Sequence, residues 1–180
     1  MSFYLLTAFG QDRPGIVAQV TQLVYASGGN IQDASMTRLG GEFAIMLVVN
    51  LPQAKTEARF QKALITLHQK TDLILNAKSL SQKLALGSKP SHATHLISVY
   101  GIDHPGIVYK VAQTLANQRI NITDLNTKTL HRTGKPLYVM MLEVQIVNAA
   151  KAKKLKTMLE RLGRTLHLEI VLHDIEPIAL

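Results

Sequence analysis

The sequence predicts an α+β protein of two similar domains, each a four-stranded antiparallel sheet with two helices on one face. The first observation is an internal repeat: residues 10–33 (GQDRPGIVAQVTQLVYASGGNIQD) recur as residues 101–124 (GIDHPGIVYKVAQTLANQRINITD). The second is the hydrophobic pattern, which changes between strand and helix periods in the same order in both halves. A repeat of this length indicates two copies of a whole domain rather than the short unit of a solenoid.

Six segments follow one another in the first half of the chain. Four have the β-rich or alternating composition typical of strands: residues 3–9, 31–39, 43–50 and 73–80. Two have apolar residues at helical spacing: Ile16, Val20, Leu23 and Val24 in one, and Phe60, Ala63, Leu64 and Leu67 in the other. The Gly40–Gly41 pair predicts a tight turn between the second and third strands.

The second half contains the same six segments. Strands are predicted at residues 94–100, 122–131, 137–147 and 166–175, and helical stripes at Val108, Val111, Ala112 and Leu115 and at Leu155, Met158, Leu159 and Leu162. The hairpin is longer here and turns near Gly134. The order strand, helix, strand, strand, helix, strand is that of the ferredoxin-like fold. We expect domains at residues 1–85 and 94–180, joined by the linker LGSKPSHA at 86–93.

Composition excludes several chemistries. Hydrophobic residues make up 47% and charged residues 18% of the chain, a balance that supports a packed core. The chain has no cysteine, which excludes disulfides and thiolate catalysis. The sequence also lacks the motifs of zinc hydrolases, serine hydrolases, phosphate loops and dinucleotide-binding folds. We therefore expect a protein that is not an enzyme and that uses no metal or cofactor.

The N-terminal segment MSFYLLTAF has no basic region of the kind that begins a signal peptide. The apolar runs of the chain are far shorter than the roughly 20 residues of a transmembrane helix. These features predict a cytoplasmic protein without membrane contact.

The net charge of +8 raises the question of nucleic-acid binding. RNA-binding domains of the same element order stack bases on aromatic residues of the first and third strands. Aromatic residues make up only 5% of this chain, and the third strands offer only Phe43 and Tyr138, which argues against direct binding. The basic segment KAKKLKTMLERLGR at 151–164 keeps it open as an alternative, and equally describes a solvated helix face or a surface for an acidic partner.

The repeated loop is a candidate ligand site. Pro14 suits the first helical position, and Asp12 just before it is placed to cap the first turn. Gly15 leaves the backbone amides of that turn uncovered, so that they could accept an anion such as an α-carboxylate. The second copy repeats these residues as Asp103, Pro105 and Gly106. The same pattern also describes an efficient helix start with no ligand, and composition alone leaves both interpretations open.

An asparagine opens the second strand of each half, Asn30 and Asn121. We expect Asn30 to approach Asp12 where the first and second strands meet at one edge. Asparagine offers donors and acceptors and aspartate offers acceptors, a combination that matches a zwitterion. An ordinary turn residue is the alternative for this position.

The pattern DRPGIV, an amphipathic helix, GGNIQD and then GGEFAIMLVV resembles an ACT domain, the small regulatory module that senses amino acids. Both halves resemble it, so nearly the whole chain is covered. A tandem pair without a catalytic domain is similar to the glycine cleavage system transcriptional repressor family. The resemblance implies that glycine or serine binds at a junction between ACT domains. It points to Asp12, Gly15, Ile16 and Asn30, and to Asp103, Gly106, Ile107 and Asn121 in the second copy.

The chain departs from this pattern in two places. Serine-binding ACT domains often carry His and Asn in the first loop, where this chain has Gly10 and Asp12. Arg13 is replaced by His104 in the second copy, so the two sites need not be equivalent.

The resemblance implies a non-enzymatic regulator, expected to be a homodimer, that controls the transcriptional activator protein of the glycine cleavage operon by direct contact. Two alternatives stay open at this point. One is a ligand-sensing regulatory subunit of a metabolic enzyme, and the other is a nucleic-acid-binding protein that uses its basic helices.

Overall fold

We describe the protein from a computed structural model of residues 1–87, 93–130 and 136–175. The chain divides into two compact units, Met1–Lys89 and Pro90–Leu180. Each has the order βαββαβ and a four-stranded antiparallel sheet, so the predicted fold class is confirmed. Residues 88–92 of the predicted linker and the predicted turn at Gly134 lie outside the described residues, and the exact domain limits stay a prediction.

The first unit contains four strands and three helices. The strands are β1 (Ser2–Gln11), β2 (Asn30–Leu39), β3 (Glu42–Leu51) and β4 (Ile74–Leu80). The helices are α1 (Ile16–Ala26), α2 (Ala54–Lys70) and α3 (Gln82–Gly87). The short helix α3 contacts β1 and was not predicted, because its six residues are too few to show a helical period.

The second unit contains four strands and two helices. The strands are β5 (His95–Ile102), β6 (Asn121–Leu130), β7 (Leu137–Gln145) and β8 (Leu168–Asp174), and the helices are α4 (Ile107–Asn117) and α5 (Ala149–Leu166). The predicted strand limits at Val147 and Leu166 are wrong, because Val147 lies beyond β7 and Leu166 is the last residue of α5. His167 caps that helix in left-handed backbone, with φ 54°, and only then does β8 begin.

The strand order is β2-β3-β1-β4 in the first sheet and β6-β7-β5-β8 in the second. Strands β2 and β6 are therefore edge strands. In the first sheet Glu42 pairs with both Gln11 and Leu39, so β1 and β2 end at the same end of the sheet. Asn30, which pairs with Asn50, lies at the other end.

Each unit has its own hydrophobic core between one sheet face and two helices. Alternate residues of the central strands are buried, Tyr4, Leu6 and Ala8 in β1 and Phe43, Ile45, Leu47, Val49 and Leu51 in β3, as the period of two requires. The predicted stripes of α1 and α2 supply Val20, Leu23 and Phe60, among others. In α4 the stripe begins one residue earlier than predicted: Ile107 is buried and Val108 is exposed.

Candidate functional site

The loop between β1 and α1 opens the N terminus of α1 at Gly15. Gly15 is the N-cap and has left-handed backbone (φ 86°), and the helix has no side-chain cap hydrogen bond. A Cβ atom at this position would meet no heavy atom within 4 Å beyond its chain neighbours, so the space before the first turn is open. Because the free amides of a helix N terminus carry partial positive charge, this opening suits a small anion such as a carboxylate.

The predicted roles of Pro14 and Asp12 in this loop are wrong. Helix α1 begins at Ile16 after the Gly15 N-cap, so Pro14 lies before the helix rather than at its first position. Asp12 does not cap the helix, because its Oδ2 atom lies 2.6 Å from Nε of Arg38. The aspartate therefore joins the end of β1 to the edge strand β2. The Ile16 amide donates to the carbonyl oxygen of Arg13 at 3.3 Å, and no side chain caps the remaining amides of the first turn.

The ion pair with Arg38 determines the charge beside the first loop. It compensates the Asp12 carboxylate, which would otherwise repel a bound carboxylate. A depression of about 660 Å³ surrounds the loop and is lined by residues 12–18 together with Met36 and Arg38. The opening at Gly15 therefore lies beside a guanidinium as well as a carboxylate.

The loop between β5 and α4 repeats the backbone but not the charges. Gly106 is the N-cap with φ 93°, and α4 has no side-chain cap hydrogen bond, so Pro105 and Asp103 do not have their predicted roles either. The Asp103 carboxylate accepts a hydrogen bond of 3.3 Å from the hydroxyl of Thr129. His104 takes the place of Arg13, and its Nε2 atom lies 3.2 Å from the carbonyl oxygen of Leu166.

Tyr138 lies beside the second loop, at the position that Phe43 occupies in the first unit. It lines a depression of about 370 Å³ together with Asp103, Gly106 and Ile107. Burial raises the pKa of the Tyr138 phenol, the Asp103 carboxylate raises it further, and a hydrogen bond with Thr127 opposes the increase. The second loop therefore has a protonated phenol where the first has an apolar ring.

The predicted approach of Asn30 to Asp12 is wrong. Asn30 is the first residue of β2, whereas Arg38, which holds Asp12, pairs with Phe43 near the end of that strand. Arg38 lies eight positions after Asn30 along this strand, a distance of about 26 Å at roughly 3.3 Å per residue. The second unit has the same arrangement: Asn121 pairs with Gln145, and Thr129 with Tyr138.

The structure thus brings together part of each predicted site. Asp12, Gly15 and Ile16 line one depression, and Asp103, Gly106 and Ile107 line its counterpart. Asn30 is exposed and lies instead at the C-terminal end of α1, in a depression of about 520 Å³ with Tyr25, Gly29 and Ile31.

Sequence reasoning missed Arg38 and Thr129, the residues that hold the two loop aspartates. A signal for them was present in the hairpin. The turn at Gly40–Gly41 pairs Leu39 with Glu42, so counting back one residue places Arg38 at the end of the sheet where β1 also ends.

Neither a metal-binding cluster nor a membrane-spanning helix occurs in the described ranges. Within them, no three His, Asp or Glu side chains come close enough together to bind a metal ion. None of the helices in the same ranges combines the length and the apolar composition of a membrane span.

Two βαββαβ units, each with an Asp-x-Pro-Gly loop that opens a helix N terminus, define a tandem ferredoxin-like protein. The sequence profile of the ACT domain matches residues 2–78 and 93–173. The chain belongs to the ACT domain family, with one ACT domain in each half.

The most informative relative by name is the glycine cleavage system transcriptional repressor of Escherichia coli (strain K12). It is 30% identical over 128 residues, which cover 71% of this chain and 65% of that protein; the match thus spans just under two thirds of the relative's length. A UPF0237 protein of Methanopyrus kandleri is 37% identical over 68 residues, covering 35% of this chain and 76% of that protein.

Two solved structures share the fold along the whole chain. A protein of unknown function from Galdieria sulphuraria superposes with a TM-score of 0.76 and 24% identity, covering 97% of this chain and 99% of that one. A proposed glycine cleavage system transcriptional repressor superposes with a TM-score of 0.73 and 24% identity, covering 98% of both chains. At this level of identity the likeness describes the fold.

Proposed function

We propose that this protein is a regulator without enzymatic activity whose ACT domains bind a small amino acid of the glycine or serine type. The observation that carries the proposal is the pair of open helix N termini at Gly15 and Gly106, whose first-turn amides lack a side-chain cap. They suit the α-carboxylate of an amino acid. The Asp12 and Asp103 carboxylates beside them are acceptors for its ammonium group.

The proposed site is completed by a second copy of the chain. Edge strand β2 is exposed along almost its whole length, and an exposed edge is a template for another strand. If the β2 strands of two chains pair antiparallel, Asn30 of one chain comes to the end of the other's β2, where Arg38 holds Asp12. The asparagine and the loop that are far apart in one domain would then face each other across a homodimer.

The proposed action is the control of a transcription factor by protein contact. The name of the Escherichia coli relative supports a regulatory role in glycine cleavage, and we propose as partner the activator protein of that operon. A ligand that binds one arrangement of the domains better than another shifts the population toward it. Affinity capture from lysate separates this proposal from control of a metabolic enzyme, according to which protein is retained.

A thermal-shift screen of the twenty amino acids tests the ligand proposal. Glycine or serine should raise the melting temperature, since a ligand at 100 times its dissociation constant stabilises the folded state by about 2.7 kcal/mol. The variants Asn30→Ala and Asn121→Ala report which domain binds, because each removes one predicted ligand group. If no amino acid changes the melting temperature, the sensing proposal is wrong.

A further inference from the structure

The second domain has a cleft that is distinct from its first loop. It lies between the first half of α5 and the edge strand β8 and has a volume of about 460 Å³. Its charged and polar lining comes from Lys153 and Lys156 of α5, Asn148 before that helix, His95 of β5 and Asp174 of β8. None of these residues belongs to the proposed amino-acid site.

In the first domain a tyrosine occupies the corresponding space. Tyr4 is buried, its hydroxyl donates to the Glu57 carboxylate, and its ring centroid lies 5.6 Å from that of Phe60. His95 holds the position of Tyr4 in the second sheet: Tyr4 pairs with Val49 and His95 with Val144, each in the third strand of its domain. The cleft is therefore present in the second domain because His95 stands where the first domain has the larger Tyr4.

Helix α5 of the second domain also differs from α2 of the first domain at the positions beside this space. Relative to the buried Phe60 of α2 and the buried Leu155 of α5, Glu57 corresponds to Ala152. By the same count Ala58 and Gln61 correspond to Lys153 and Lys156. The second domain thus replaces two large side chains by smaller ones, which opens the space, and places two ammonium groups at its edge.

The charges of the cleft favour an anion. Lys153 and Lys156 are exposed and lie three residues apart, so they share one side of the helix. The lining also contains one carboxylate, Asp174, which is 89% exposed and has its Oδ1 atom 3.0 Å from Nε2 of His95, so the two ammonium groups outnumber it. Asn148 accepts a hydrogen bond from the Lys151 amide with its Oδ1 atom, which leaves its NH₂ group as a donor.

We propose that this cleft binds a small dianionic oxyanion, either a phosphate monoester or a short dicarboxylate. Two negative charges match the two lysines, which bind such groups as point charges. The apolar part of the lining, Ile146, Ala149, Ala152 and Leu172, would contact a short carbon chain. The two lysines favour a ligand with two negative charges over a zwitterionic amino acid, whose ammonium they would repel. The cleft is therefore a second site with a different ligand.

The test uses the full chain, with inorganic phosphate and succinate as probes and sodium chloride at matched ionic strength as the reference. Isothermal titration should show binding of phosphate, succinate or both to the wild-type protein. The variants Lys153→Ala and Lys156→Ala should each weaken it about tenfold, as expected for the loss of one hydrogen bond to a charged group. Lys154→Ala is the matched control, since Lys154 is an exposed lysine of the same helix outside the lining.

Binding of phosphate alone would identify a phosphate ester as the ligand class, and binding of succinate alone a dicarboxylate. The double variant Lys153→Arg/Lys156→Arg should retain binding, because it retains both charges. The proposal is wrong if neither probe exceeds chloride, or if Lys154→Ala weakens binding as much as the other substitutions. Titration with glycine separates this site from the proposed amino-acid site, because Lys153→Ala should leave the glycine response unchanged.

Discussion

Asp12 and Arg38 form an ion pair of 2.6 Å that joins the first loop to the edge strand β2, whereas their counterparts Asp103 and Thr129 make a neutral-donor hydrogen bond of 3.3 Å. The two ACT domains therefore have the same open helix N terminus in different electrostatic surroundings. A carboxylate ligand meets a compensated aspartate in the first domain and an uncompensated one in the second.

Arg38→Thr should weaken glycine or serine binding by the first domain about tenfold, the loss expected for one interaction with a charged group. The substitution leaves the Asp12 carboxylate uncompensated beside the ligand carboxylate. The free energy of unfolding should change by less than about 1 kcal/mol, because the Arg38 side chain is 67% exposed and exposed ion pairs contribute little. Isothermal titration and urea denaturation measure the two effects.

Arg59→Thr is the control for this prediction, since it removes the same charge from an exposed position outside the loop. Equal weakening by both substitutions would mean that only the overall charge of the domain matters.

Mixing two inactive variants tests whether a site joins two chains. Gly15→Asn keeps a residue that tolerates left-handed backbone but places a side chain before the first turn, and Asn30→Ala removes the asparagine. Both variants also carry Asn121→Ala, which removes the predicted ligand group of the second domain. Before mixing, neither variant should bind glycine or serine. Mixed dimers should recover about one quarter of the first-domain sites, since about half of the dimers are mixed and each of these has one of its two first-domain sites intact.

Gly40→Asn is the matched control for the glycine substitution, because Gly40 also has positive φ and open space around its Cβ position. Gly40→Asn should bind glycine or serine as tightly as the protein without this substitution. Recovery of no sites in the mixture, with subunit exchange confirmed by native mass spectrometry, would contradict a site shared between chains.

Gly163→Ala in α5 should destabilise the protein although alanine favours helix. A Cβ atom at this position would lie 2.6 Å from the carbonyl oxygen of Leu168, so α5 and β8 would have to move apart. We expect a loss of about 1–3 kcal/mol, as for other overpacked sites, against a gain of about 1 kcal/mol from helix propensity. Urea denaturation measures the net change. Glu160→Ala is the control on the exposed face of the same helix and should change the free energy of unfolding by less than about 0.5 kcal/mol. Increased stability of Gly163→Ala would show that the contact relaxes.

Ionisation of the Tyr4 phenol should lower the stability of the folded protein at alkaline pH. The hydrogen bond to Glu57 raises the pKa of the Tyr4 phenol, and burial and the carboxylate charge raise it further. The folded protein therefore holds this proton more tightly than the unfolded chain, in which the tyrosine pKa is about 10. The contribution to stability is complete below pH of about 10 and is lost as the pH rises through the higher folded value.

Urea denaturation of wild type and Tyr4→Phe between about pH 8 and about pH 11.5 measures this effect, a range from about 2 units below to about 1.5 units above the ordinary tyrosine pKa. The variant should lose stability less steeply above pH of about 10. Tyr25→Phe, at a tyrosine that is 83% exposed, should follow the wild-type curve. Parallel curves for all three proteins would contradict the assignment to Tyr4.

The sequence was sufficient to predict the fold because the repeat and the two hydrophobic periods agree in both halves. It was not sufficient for the site. The Asp12–Arg38 pair depends on the antiparallel register that the Gly40–Gly41 hairpin sets, and the separation of Asn30 from Asp12 depends on the length and direction of β2. The helix starts were misplaced because glycine in left-handed backbone served as N-cap, where aspartate is the commoner choice.

The cleft of the second domain was beyond prediction for a related reason. It arises from residues distant in the chain, His95 on β5 and Ala152 on α5, whose small size matters only where the two elements face each other. Single-sequence patterns report which face of a helix is buried, and they do not report how completely the facing side chains fill the space.

Each ACT domain packs around a hydrophobic cluster drawn entirely from its own half of the chain. Substitutions in the core of one domain therefore leave the core of the other intact, because a side chain lost from one cluster removes no contact from the other cluster. The difference between Tyr4 with Glu57 and His95 with Ala152 is such a divergence: the first domain has a buried aromatic ring where the second has a cleft edged by lysines.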